Sequence, residues 1–124
     1  MTKCFAVLSP PTKIELTLAG KAKEHSSEIE SEEGTYILTG GQVNGYPHWL
    51  KTDGIQAIWF CKLNANWSVG KKEECGTDYA VIVGPEGKDS YPNEINQGWR
   101  FSGVDDWEDA GPNNVIFNAI GTFY

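Results

Sequence analysis

The chain has 124 residues, 40% of them hydrophobic, with five Trp, five Tyr, five Phe and a formal charge of -7. That length fits one domain, and the aromatic content is that of a chain with a packed core rather than a disordered one. The surplus negative charge repels phosphate backbones and anionic lipid, so neither a nucleic acid nor a membrane is expected as a partner.

Residues 5–8 read as a short strand stopped by Pro10-Pro11. The apolar run there is too short for a signal-peptide core, and no stretch approaches the length of a membrane span, so a cytoplasmic protein is expected. Residues 12–18 alternate cleanly. Ile14, Leu16 and Leu18 share one face, and Glu15 and Thr17 the other, which is the period of a half-buried strand. Residues 20–34 hold seven Lys and Glu residues, with only Ala22 and Ile29 apolar. A long helix there lacks a face to bury, so a charged, mobile loop with at most one helical turn, lying outside the core, is predicted.

From Gly34 the chain reads as strand, turn, strand. Asn44-Gly45 is a hairpin turn, and Asp53-Gly54 a second. Residues 55–62 form a dense apolar run suited to a central strand, followed by a turn at 64–66 and a strand at 67–69. Further strands are predicted at 78–83, ended by Gly84-Pro85, at 98–101, and at 114–124. About eight short strands with turns every eight to twelve residues give the expected fold: a single all-β domain over 1–124, an antiparallel sandwich or barrel.

One series of residues repeats a recognisable order: Gly34-Thr35-Tyr36, Asn44-Gly45-Tyr46-Pro47-His48-Trp49, Trp59-Phe60, Trp67-Ser68-Val69-Gly70, Pro92 and Gly98-Trp99. Across roughly residues 14 to 117 this series resembles a β-rich module of large eukaryotic proteins, many from protists and invertebrates. The resemblance implies a β-domain and no catalytic residue.

Chemistry-bearing clusters are sparse. The acidic run at 105–109, with Asn113 and Asn114 near it, offers oxygen ligands but lacks the spacing of a calcium loop, and reads as a solvated turn. His48 beside Trp49 and the apolar Cys61 are a weak nucleophile and base pair. The Cys and His residues have no zinc spacing. The odd cysteine count of Cys4, Cys61 and Cys75 suits reduced thiols, with a Cys61–Cys75 bridge as the alternative. Asn66-Trp67-Ser68 matches a glycosylation triplet. No enzyme activity and no cofactor are expected.

The aromatics are the strongest lead. Trp49, Tyr91, Trp99 and Trp107 lie among Gly, Pro and polar residues, and an exposed ring there would anchor a ligand. Asn44, Asn64, Asn66, Asn96, Gln97 and Asp106 are polar neighbours able to orient it. The first expectation is a non-enzymatic module binding a protein or peptide through exposed aromatics or a sheet edge. The second is a carbohydrate-binding module with a tryptophan stacking platform. The exposure of the tryptophans decides between core and site.

Overall fold

Pairing each strand with its neighbour in sequence is the simplest antiparallel solution, and the chain adopts it. In the computed structural model, which describes residues 10–104 and 106–120, nine strands form one antiparallel sheet. They are β1 (Lys13–Leu18), β2 (Gly34–Val43), β3 (Tyr46–Lys51), β4 (Gln56–Cys61), β5 (Asn66–Lys71), β6 (Ile82–Glu86), β7 (Arg100–Ser102), β8 (Trp107–Asp109) and β9 (Val115–Ile120). The order across the sheet is β8-β7-β6-β5-β4-β3-β2-β1-β9. The first eight strands are therefore a meander, and β9 returns to pair with β1 along its whole length, Lys13 opposite Ile120 and Leu18 opposite Val115.

The sheet curls into a half-barrel around its aromatic face. The curl brings its two ends together: Trp99, just before β7, packs on Phe117 of β9 with ring centroids 4.4 Å apart. Ile14, Leu16 and Leu18 of β1, Tyr36 of β2, Trp49 of β3, Ile58 and Phe60 of β4, Trp67 and Val69 of β5, and Phe101 of β7 fill the interior. Tyr46 stacks on Phe60 at 3.9 Å, and Trp49 meets Trp67 edge-on at 5.6 Å. Edge-on and offset contacts suit the ring quadrupoles.

β4 is buried on both faces. Its inner side chains enter the core, while Trp59 points outward under the segment after β5. There its indole N–H donates to the Thr77 carbonyl at 2.9 Å. The dense apolar composition of the strand follows from this double cover.

The turns obey local chemistry. Asn44 and Gly45 have φ of 58° and 84°, the left-handed pair that a two-residue hairpin needs. The Asp53-Gly54 turn is looser, with Asp53 Oδ1 accepting from the Ile55 N–H at 2.8 Å. Residues 78–81 fall outside any strand. β6 starts at Ile82 and continues through Gly84-Pro85, where a register shift against β5 accommodates the proline. β8 is a strand that the sequence pattern did not indicate. The strand predicted at 5–8 lies outside the described residues.

Residues 20–34 correct an expectation. Instead of a loop outside the core they hold two short helices, α1 (Gly20–Glu24) and α2 (Ser27–Glu30), whose apolar residues join it. Their two apolar residues, Ala22 and Ile29, are both fully buried. Polar ties do the rest. Glu33 Oε2 accepts from the Leu18 N–H at 2.8 Å, and Lys51 Nζ donates to the Ser31 carbonyl at 2.6 Å. Ser26 caps α2 by accepting from the Ile29 N–H. A segment this polar lacks a periodic apolar face because it is a cap with two anchors.

Candidate functional site

The structure separates the four candidate aromatics sharply. Trp49 has no exposed surface, and its Nε1–H donates to the Pro11 carbonyl at 2.9 Å. Trp99 is 2% exposed, and its indole donates to the Ile95 carbonyl. Tyr91 is 3% exposed and sits edge-on to Trp49 at 6.3 Å. Trp49 and Trp99 are core residues, and Tyr91, in the same core, also lines a separate hollow of about 390 Å³ with Leu38, Gln42 and Pro47, so the three do not form one surface platform. Trp49 sits inside β3, while Tyr91 and Trp99 lie in the turn-rich segment between β6 and β7. Trp107 alone of the four presents a ring to solvent, at 36% exposure.

Trp107 stands on the outer face of the sheet. On β7 the buried Phe101 fixes the alternation, so Arg100 and Ser102 point outward. Their partners across the ladder are Asp109 and Trp107, which share that face. On β5 the same rule turns Asn66 and Ser68 outward, opposite Cys61 and Trp59 of β4. Four adjacent strands thus build one hollow of about 510 Å³. Asn66 comes from β5, Val83, Gly84 and Glu86 from β6, Arg100 from β7 and Trp107 from β8, with Asn64 and Asp78 on the rims.

A second hollow of about 440 Å³ adjoins it and shares Asp78 and Trp107. Tyr79, Ala80, Ser102, Gly103, Val104 and Asp106 complete its lining. Tyr79 and Val104 are highly exposed. Trp107 and Asp78 therefore form a waist between two lobes of one groove.

The floor of the first lobe carries unmet hydrogen-bonding capacity. Asn66 is 5% exposed. Its Nδ2 donates to the Gly84 carbonyl at 3.1 Å, but its buried Oδ1 has no partner. Ser68 Oγ, on the same strand face, is buried and unpaired as well. A buried acceptor without a donor costs roughly 1–3 kcal/mol, so a small shift of the floor that opens Asn66 Oδ1 to a ligand or water O–H or N–H would recover that cost. The burial of Asn66 also makes the glycosylation triplet a poor acceptor site.

The polar neighbours divide. Asn64, Asn66 and Asp106 line the groove. Asn44 instead ties its turn to the Phe60 and Gly76 carbonyls, and Asn96 lines a separate shallow cleft beside β9. Asp78, Tyr79, Glu86 and Arg100 escaped sequence reasoning. For Arg100 a signal existed, since Arg-Phe-Ser alternates polar and apolar residues.

His48 and Cys61 do not form a catalytic pair. His48 shares a hydrogen bond with the Thr39 hydroxyl, while Cys61 is buried under Asn64, whose Nδ2 lies 3.8 Å from its Sγ. Cys61 and Cys75 are both free thiols. In the acidic run, Asp106 and Asp109 accept main-chain N–H groups of Trp107 and Gly111, while Asp105 lies outside the described residues. Among the described residues no group of three or more His, Cys, Asp or Glu is gathered to hold a metal, and no helix is long and apolar enough to cross a membrane.

Away from the groove, Glu32 is 2% exposed beneath α2, and its Oε1 has no hydrogen-bond partner. Burial drives its pKa up to about 7, against the opposing pull of Lys51.

No family model matches the sequence, no curated protein matches it, and no solved structure matches it. The series Tyr36, Trp49, Trp59, Trp67 and Trp99 consists of core positions, and Asn44-Gly45 is a turn, so that pattern encodes the barrel rather than a site.

Proposed function

We propose that the domain is a non-enzymatic recognition module that binds glycan through the outer groove around Trp107. One observation carries this reading: an exposed indole on β8 and a polar floor reaching to Asn66 of β5, whose Oδ1 is buried without a donor, line the same hollow. A sugar ring offers an apolar C–H face to an aromatic ring and hydroxyl donors and acceptors around its edge. The groove supplies the complement: Trp107 as platform, Asn66, Asp78 and Glu86 as acceptors, and Arg100 as donor.

Peptide recognition is the second reading. It is favoured by the exposed Tyr79, Val104 and Trp107 sharing one lobe. β8, which carries Trp107, ends the sheet and has no strand partner on its outer side among the described residues.

Trp107→Ala decides whether the groove is the site. Glycan-array binding by the parent domain, lost in Trp107→Ala with the unfolding midpoint unchanged, supports the first reading. Binding confined to peptide libraries supports the second. A sugar response that survives Trp107→Ala rules out the groove.

A further inference from the structure

On the glycan reading above, we infer that the groove takes an extended, uncharged oligosaccharide, with successive rings on either side of Trp107, and that its lining rejects sulfated and uronate-rich chains. The two lobes, about 510 and 440 Å³, each fall within the range of a small-ligand site. They are joined at Asp78 and Trp107, which line both. A ligand of one ring occupies one lobe, while a chain threads the waist and meets both.

The lobes differ in chemistry. The first holds the hydrogen-bonding floor, with Asn66 Oδ1 unpaired beside the donor Arg100 and the acceptor Glu86. This lobe fixes the orientation of one ring through its hydroxyls. The second is built from the Tyr79 ring, Ala80 and Val104, with Ser102 and Asp106 at its sides. This lobe offers area to the next ring rather than directed bonds.

Charge sets the class of sugar. Asp78 and Glu86 line the first lobe against the single cation Arg100, and Asp78 and Asp106 line the second with no cation among its lining residues. The whole chain carries -7. Carboxylates accept hydrogen bonds from neutral hydroxyls but repel sulfate and carboxylate groups, so complementarity excludes acidic chains.

The test is calorimetric titration of the full chain with neutral gluco-, manno- and N-acetylglucosamine oligomers of one to six rings, and with a sulfated heparin hexasaccharide. At least one neutral series is expected to gain tenfold or more in affinity from one ring to three, while the sulfated hexasaccharide does not bind. Tyr79→Ala is expected to remove most of that gain. Equal affinity for one ring and three, or tighter binding of the sulfated chain, overturns the inference while leaving Trp107-dependent glycan binding intact. No response to any sugar overturns both readings together.

Discussion

The phenol of Tyr36 donates a 2.6 Å hydrogen bond to the main-chain carbonyl of Glu32, four residues earlier. Both residues are almost fully buried, so this bond ties the helical cap to the first hairpin of the barrel. Burial and the nearby charges of Glu32 and Asp53 push the phenol's pKa well above its usual value. Tyr36→Phe removes the donor and strands the carbonyl, at a cost of about 1–3 kcal/mol. Urea unfolding measures this as a lower midpoint at unchanged slope.

Glu32 itself makes stability depend on pH. Its pKa is about 7 in the fold against 4.5 for a free side chain. Between those values the folded chain holds a proton that the unfolded chain has lost. This contribution is fully present below pH 4.5 and disappears as pH rises through 7, with a total of about 3 kcal/mol. Glu32→Gln stays neutral throughout. The stability of Glu32→Gln minus that of the parent is expected to rise by about that amount from pH 4 to pH 8. A difference that stays flat across that range rejects the assignment.

Gly70 lies on the outer face of β5 against Trp59. A Cβ there would stand 3.1 Å from Trp59 Cη2 and 3.3 Å from the Ala80 Cα. The indole is held by its bond to Thr77 and cannot move aside cheaply. Gly70→Ala is expected to cost about 1–3 kcal/mol. Gly41→Ala, whose Cβ would have no neighbour closer than 3.7 Å, should change thermal stability by less than about 0.5 kcal/mol.

The two described thiols should label in a fixed order. Cys75 is half-buried, with its pKa raised by burial, and Cys61 is enclosed. In a Cys4→Ser background, a maleimide is expected to modify Cys75 first, more slowly than it modifies a small free thiol at the same pH. Cys61 should react only on unfolding. Mass spectrometry of the labelled peptides reads the order directly.

The fold was legible wherever local rules act alone. Alternation at Ile14, Leu16 and Leu18 marks β1, and Asn44-Gly45 marks the β2–β3 hairpin, because side-chain period and positive φ are written in consecutive residues. The helical cap was not legible: its two anchors, Ala22 and Ile29, matter only once the barrel end exists to receive them. The site was legible in one residue of four. Trp49, Tyr91, Trp99 and Trp107 have similar local surroundings in sequence, and only the curl of the sheet distinguishes inside from outside. Asn66 and Arg100 lie 34 residues apart, counting from 66 to 100, and meet through strand order that no local pattern encodes.

The pairing of β1 with β9 sets a timetable for synthesis. Strands β1 to β8 can zip in the order in which they leave the ribosome, but β1 keeps a bare edge until the chain has been made as far as Ile120. During that interval Ile14, Leu16 and Leu18 lie beside an unsatisfied row of backbone donors and acceptors, which is a template for strands of other chains. The flanking charges Lys13 and Glu15, exposed on that same strand, act as guards against such misassociation. Replacing both with valine would do little to the finished barrel and much to the yield of folded protein.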